Sequence, residues 1–319
     1  MTIKSIEICA GAGGQALGLE QAGFDHVSLV ELDAAACQTL RINRDHWDIT
    51  EGDLHHYSAE KWKGVELLAG GVPCPPFSKA GKQLGREDER DLFPEAIRLV
   101  SECKPQAVIL ENVRGLLDSV FDEYRANIIS NLKKLGYVAE WRLLNASDFG
   151  VPQLRPRVVF VALKKSAAEY FTWPSSLVAP PPTVGETLFD LMAANGWRGA
   201  QQWRDRACDI APTLVGGSKK HGGPDLGPTR AKRAWASIGV DGMGIADNAP
   251  SEDFIGMPRL TVRMTARIQG FPDYWKFSGK KTAAYRQVGN AFPPPVACAV
   301  GVQILAALNA AAKPKLRRA

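Results

Sequence analysis

Along the first 163 residues, apolar runs alternate with amphipathic stretches in a pattern that predicts short strands separated by helices. Ser5 to Cys9 reads as a first strand, running into Ala10-Gly11-Ala12-Gly13-Gly14 and a helix to Gly23. Val27 to Glu31 predicts a second strand, Asp33 to Arg44 a helix, and Gly52-Asp53-Leu54 the exit of a third strand. Val65 to Ala69, broken by Glu66, is a fourth, and Asp91 to Cys103 restores helical spacing. Ala107 to Leu110 is a buried strand ending at Glu111-Asn112-Val113. A helix to Gly136, a strand from Tyr137 to Asn145 and an apolar strand from Val158 to Leu163 complete the series. Strands alternating with helices in this way imply an α/β fold with a doubly wound, mostly parallel sheet.

The texture then changes. Thr172 to Pro258 carries a proline run, glycines, four tryptophans and little periodicity, which predicts a smaller, loop-rich second domain. The expected division is 1–168, 169–284 and a C-terminal segment, 285–319, that packs back on the first domain. Tyr285 to Pro295 leads into an apolar helix, Val296 to Leu308, interrupted by Gln303. That stretch is too short to cross a bilayer, so no membrane partner is expected.

Composition refines this picture. A chain of 319 residues with 45% hydrophobic and 23% charged residues can bury a full core. Six cysteines, at positions 9, 37, 74, 103, 208 and 298, show neither CxxC nor Cys/His spacing, so no metal is expected. Their scatter, in a sequence with no signal-peptide pattern, points to a reducing cytoplasm. Charge placement adds more: between Arg198 and Arg233 stand eight Lys/Arg against three Asp, a local +5 that equals the net charge of the whole chain. Clustered positive charge is the footprint of a polyanionic partner.

The candidate chemistry centres on Gly70-Gly71-Val72-Pro73-Cys74-Pro75-Pro76-Phe77-Ser78, where a thiol sits among three prolines just past a strand end. Each proline fixes its own φ and pushes its predecessor toward extended backbone, giving a stiff loop. A lone cysteine in a turn is more often a small packing residue. Here, however, the next strand ends in a carboxyl, Glu111, and two arginines, Arg155 and Arg157, are spaced to line one side of a crevice. The glycines after the first strand let backbone N–H groups approach a ligand. Glu31, 20 residues after Gly11, suits a carboxylate gripping ribose hydroxyls. Gly11-x-Gly13-x-x-Ala16 also passes the loose dinucleotide pattern, which leaves NAD open at this point. A simple dehydrogenase has no use for the thiol. The combination suits nucleophilic attack on an electron-poor ring with an acid nearby.

In their order along the chain, these motifs resemble those of the DNA (cytosine-5) methyltransferases of bacterial restriction-modification systems. The matching segments are Ala10 to Gly14, Pro73 to Ser78, Glu111-Asn112-Val113 and Gln153-x-Arg155-x-Arg157. They continue with Arg259-Leu260-Thr261-x-Arg263, Gln269 to Asp273, and Gln287-x-Gly289-Asn290-Ala291. The resemblance implies a Rossmann-like methyltransferase fold with a target-recognition domain. It also implies methylation of cytosine C5 within a specific short double-stranded DNA sequence, with the base flipped out of the stack. Cys74 is implied as the nucleophile on C6 and Glu111 as the group holding N3 and the exocyclic amine. Arg155 and Arg157 are implied to orient the base and brace the thiolate.

S-adenosylmethionine, leaving as S-adenosylhomocysteine, is the implied cofactor, with no metal. The implied cofactor positions are Cys9, Gly11, Gly13, Gly14, Glu31, Leu32, Asp53, Leu54, Pro73, Leu92, Asn290 and Ala291. The DNA is expected at Ser78, Lys82, Gln83, Thr213, Leu214, Lys219, Lys220, Arg230 and Arg233. Asn112 and Gln153 are expected to organise loops, and the protein to act as a monomer alongside a paired restriction endonuclease. Three residues depart from the family pattern: Cys9 replaces a phenylalanine, Pro75 a glutamine and Met264 a glutamate. An RNA-directed relative, or a sequence-specific DNA-binding protein with silent catalysis, are the alternative readings.

Overall fold

The first part of the chain mostly alternates strands with helices, though no α-helix stands between the third and fourth strands or between the sixth and seventh. A computed structural model describes residues 3–73, 91–216 and 224–313. It contains β1 (Ile3–Ile8), α1 (Gly14–Ala22), β2 (Phe24–Glu31), α2 (Ala34–Asn43), β3 (Ile49–Glu51) and β4 (Leu67–Gly70). Then come α3 (Phe93–Cys103), β5 (Ala107–Val113), α4 (Asp122–Lys134), β6 (Tyr137–Asn145), β7 (Pro156–Lys164) and α5 (Lys165–Ala168). The remaining elements are helical: α6 (Val184–Met192), α7 (Ala200–Arg206), α8 (Thr229–Ser237), α9 (Val262–Ile268), α10 (Lys281–Asn290) and α11 (Pro294–Ala312). The strands form one sheet in the order β3-β2-β1-β4-β5-β7-β6. The first five are parallel; β7 runs antiparallel to both β5 and β6.

Both faces of the sheet are buried, which is why its central strands are almost wholly apolar. Leu68, Val108 and Leu110 face a core built with Phe93, Ala96, Leu99 and Val100 of α3 and Ile128 and Leu132 of α4. Leu67, Ala69, Ala107 and Ile109 face the opposite way, against Leu19 of α1 and Val296, Val300 and Ile304 of α11. Alternate residues of one strand thus enter different cores, as a period of two requires. In α3, buried Phe93, Ala96, Leu99, Val100 and Cys103 recur at helical spacing along one face. A third core joins α6 to α9 with Trp203, Trp235, Leu260 and Trp275.

Helix α11 is longer than the sequence pattern predicts. Its 19 residues reach membrane-spanning length, and by length and composition alone the segment is apolar enough to cross a bilayer. Val296, Ala297, Val300, Ile304, Ala307 and Leu308 are instead buried against α1 and the sheet. It is packed as a core helix.

Strand register sets up the site. Ile8 pairs with Val30 on one side and Gly70 on the other, and Gly70 pairs with Leu110. Four parallel strands therefore end level, and Cys9, Glu31, Gly71 and Glu111 follow side by side. Chain order runs outward from β1 in one direction to β3 and then restarts at β4 in the other. The crevice at such a reversal is where open α/β sheets bind ligands.

Candidate active site

The turn after β1 shapes one wall of that crevice. Gly13 caps α1 in the left-handed region, at φ 82°, where L side chains are strained. A Cβ there would also meet Leu40 at 2.7 Å and Trp275 at 2.9 Å. Trp275 is fully buried and donates its indole N–H to Ala12 O at 3.1 Å, pinning the turn from below. Glu31, at the end of β2, accepts from the Gly11 amide (2.7 Å) and the Asp33 amide (2.7 Å). Those bonds fix the carboxylate yet leave lone pairs for a ligand. Burial raises its pKa, and the two amides pull against that shift.

The crevice encloses a cavity of about 360 Å³, within the range of small-molecule sites. Of the expected cofactor positions, Cys9, Gly11, Gly14, Glu31, Leu32, Asp53, Leu54, Pro73, Leu92, Asn290 and Ala291 line it; Gly13, the cap of α1, packs instead against Leu40 and Trp275. Cys9 has a positive φ of 50°, and burial pushes its thiol well above the ordinary range. The cavity also holds residues that the motif reading did not single out: Glu7, Gln15, Asp33 and Arg286. Glu7 is the most informative. Its side chain is 1% exposed and neither carboxylate oxygen makes a full hydrogen bond among the described residues, the Ala16 amide being its one weak partner; both polar atoms of buried Gln15 are unpartnered. Burial drives the Glu7 pKa well up, with the Ala16 amide opposing only in part. One signal was available in advance: a carboxylate held between two buried isoleucines, Ile6 and Ile8, near the end of the first strand.

Among the described residues the lining carries Glu7, Glu31, Asp33, Asp53 and Glu111 against one arginine, Arg286. Orphaned carboxylate oxygens in an acid-lined cavity call for a cationic ligand. S-adenosylmethionine, with a sulfonium, an ammonium and two ribose hydroxyls, fits that donor and charge set. NAD does not answer it, since its pyrophosphate adds negative charge.

In the cavity wall, Glu111 near the end of β5 meets Arg157 at the start of β7. The antiparallel register sets Val159 opposite Glu111 and Arg157 opposite Val113. Arg157 Nε then reaches Glu111 Oε1 at 2.7 Å, both side chains about nine-tenths buried. Burial raises the Glu111 pKa more than Arg157 and Arg155 lower it. The carboxyl is therefore held closer to neutral pH than a free glutamate, the state a proton donor needs. Asn112 Nδ2 donates to Val72 O at 2.8 Å, tying β5 to the exit of β4. Asn112 is a loop organiser here, as expected from the motif. Cys74 itself lies outside the described residues, as do Ser78, Lys82, Gln83, Lys219 and Lys220.

Arg155 is placed differently from the expectation that it orients the base. It is 0% exposed, and its guanidinium donates to Leu214 O (2.8 Å), Gly289 O (2.8 Å) and Ala291 O (2.9 Å). Three backbone carbonyls occupy it, so it is a brace. Gln153 belongs to the same cluster, accepting from the Leu214 amide at 2.8 Å and donating to Gln269 at 2.7 Å. Leu214, expected at the DNA, is 1% exposed and sits in the third core. Its side chain has no surface to offer a duplex. Thr213 Oγ1 donates to Leu154 O, while Arg230 and Arg233 are exposed on α8.

A mostly parallel sheet with a switch-point cavity lined for a cationic nucleoside, and a buried acid in its wall, defines an α/β methyltransferase. The chain belongs to the C-5 cytosine-specific DNA methylase family, whose model matches residues 3–306. It is 60% identical over 312 residues to the type II methyltransferase M.NgoMIV of Neisseria gonorrhoeae, covering 97% of this chain and 99% of that one. It is 60% identical over 314 residues to M.NaeI of Lentzea aerocolonigenes, covering 97% of this chain and 76% of the relative. Among solved structures, a prophage-encoded E. coli protein described as a DNA modification methyltransferase superposes with a TM-score of 0.69 at 25% identity, over 96% of this chain and 99% of that one. The protein is thus a DNA (cytosine-5) methyltransferase, which transfers a methyl group from S-adenosylmethionine to cytosine C5.

Proposed function

We propose that the enzyme methylates one cytosine within a specific short double-stranded sequence, through a covalent bond between Cys74 and C6 of a flipped-out base. The observation that carries this reading is the buried Glu111–Arg157 pair, 2.7 Å apart, at the end of the strand next to the one that leads to Cys74. Flipping costs roughly a few kcal/mol and brings C6, unreachable inside a stack, to the thiol. Arg157 keeps Glu111 oriented and adds positive charge that favours the Cys74 thiolate. As the thiolate adds to C6, Glu111 donates to ring N3, and the electrons released into the ring make C5 nucleophilic. The bound cofactor supplies an electrophilic methyl group for that carbon. Loss of the C5 proton and of Cys74 then restores the aromatic ring.

Within the chain, Glu31 would hold the ribose hydroxyls and Glu7 the cofactor's ammonium, with Leu32, Leu54, Pro73 and Leu92 flanking the base. Lys219, Lys220, Arg230 and Arg233 would meet the duplex, together with Ser78, Lys82, Gln83 and Thr213. Phosphate contacts there set affinity and salt dependence. Identity of 60% to two relatives from different genera, across nearly the full chain, supports a DNA target shared with them and a paired endonuclease. Action as a monomer in the cytoplasm, and the division at 168 and 284, belong to the same reading. Cys74→Ala tests the mechanism: methyl transfer should vanish while DNA binding persists. A variant that methylates at the unaltered rate would sink the covalent step.

A further inference from the structure

Two segments distant in sequence meet behind the cofactor cavity. The last turn of α10 supplies Arg286, Gln287, Asn290 and then Ala291 to the cavity wall. Residues 211–216, in the middle of the basic segment, pass directly behind that turn. A Cβ on Gly216 would stand 2.3 Å from Asn290 Oδ1 and 2.6 Å from Arg286 O, and one on Gly289 would stand 2.4 Å from Gly216 N. The backbones therefore touch with no room for a methyl group. Arg155 binds the same two segments together, donating to Leu214 on one and to Gly289 and Ala291 on the other. Gln153 fixes the Leu214 amide, and Gln269 Nε2 donates to Ala291 O at 2.5 Å. Neither Gly216 nor Arg155 lines the cavity.

We propose that Gly216 and Arg155 are positioning residues for the cofactor, setting where Asn290 and Ala291 stand by locking segment 211–216 onto the end of α10. The inference rests on the reading that this cavity takes S-adenosylmethionine. Its physical basis is that the two contacts cannot relax alone. An added methyl at Gly216 could swing the Asn290 side chain aside, but the Arg286 carbonyl is backbone and moves only with the helix. Arg155 presents donors in a rigid fork that a lysine's single ammonium cannot reproduce on three carbonyls of two segments.

The test measures S-adenosylhomocysteine binding by calorimetry, and steady-state methylation of plasmid DNA, for the native enzyme, Gly216→Ala, Arg155→Lys and a control, Gly115→Ala. The control Cβ would meet nothing within 4 Å. Gly216→Ala should weaken S-adenosylhomocysteine binding about tenfold and raise the KM for S-adenosylmethionine similarly, with kcat at saturating cofactor largely kept. Arg155→Lys should weaken binding in the same direction, and it decides the matter if Gly216→Ala does not fold. Gly115→Ala should behave as the native enzyme. A merely structural role would lower kcat with the fraction folded and leave KM alone; that outcome, or native affinity in Gly216→Ala and Arg155→Lys, overturns the proposal. Failure of the native enzyme to bind S-adenosylhomocysteine would instead overturn the cofactor reading beneath it.

Discussion

A carboxylate without a full hydrogen bond is costly in a protein interior, and Glu7, helped only by the Ala16 amide, stands in that position. Its folded-state pKa is raised above its unfolded value, so folding takes up a proton. The associated stability is fully present below about pH 4.3, the unfolded pKa, and is lost as pH rises through the folded value. Glu7→Gln should therefore stabilise the cofactor-free protein near neutral pH by about 1–3 kcal/mol, with little gain near pH 4. The same change should weaken S-adenosylmethionine binding, since the cation loses its counter-charge; thermal melts across pH and calorimetry read the two effects. Equal melting curves at pH 7 would show that the carboxylate is not strained. Glu111 predicts the opposite trade. Glu111→Gln would leave Arg157 buried without its partner, which should cost roughly 3 kcal/mol of stability and at least about 100-fold in turnover. Denaturant titration and a methyl-transfer assay check both.

At the scale of elements, the clearest parts of the sequence were those with strong apolar spacing. The strand from Tyr137 to Asn145 and the helix ending at Cys103 match the observed β6 and α3 boundaries. Helices α6, α7 and α8, of seven to nine residues, escaped notice because they are set among the prolines and glycines of a stretch read as loop. Helix α10 escaped because its buried residues are interspersed with Lys, Arg and Gln that face the cavity and neighbouring loops. Met264, a departure from the family pattern, has a local role: its Sδ accepts from the Thr261 amide at 3.4 Å, in the place of a carboxylate in a capping box. No apolar pattern reveals how closely two helices approach. On α1, a Cβ at Gly18 would stand 2.3 Å from Pro294 O and 2.6 Å from Ala297 Cβ on α11. Gly18→Ala should thus destabilise the protein by about 1–3 kcal/mol despite alanine's better helix propensity. A midpoint in urea equal to or above the native one would contradict this contact.

At the scale of the molecule, ordered motifs made the site's chemistry legible, whereas its mechanics were not. Glu31, Asp53, Glu111 and Asn290 line one cavity, and their order along the chain already marked them. That Arg155 braces three carbonyls was hidden, because a backbone acceptor leaves no trace in sequence. The stretch that holds the basic segment shows the same division. Its charge is plain in the sequence, but only the fold shows that residues 197–198 meet residues 252–254. Arg198 pairs with Glu252 at 2.7 Å and Asp253 at 3.0 Å, and its amide donates to Glu252 O at 3.1 Å. Trp197 Nε1 reaches Phe254 O at 2.8 Å. A segment whose ends are adjacent can be exchanged with little strain on its host, as insertions at such points are. Inside it, the tie from Leu214 to Gln153 and Arg155 depends on backbone atoms at 214, which any graft supplies. Residues 198–258 moved into a relative of different DNA specificity should therefore leave the hybrid folded. The hybrid should methylate the donor's target in place of the host's, read by sequencing methylated bases in DNA from cells expressing it. A folded, active hybrid that keeps the host's target would move sequence choice outside this segment.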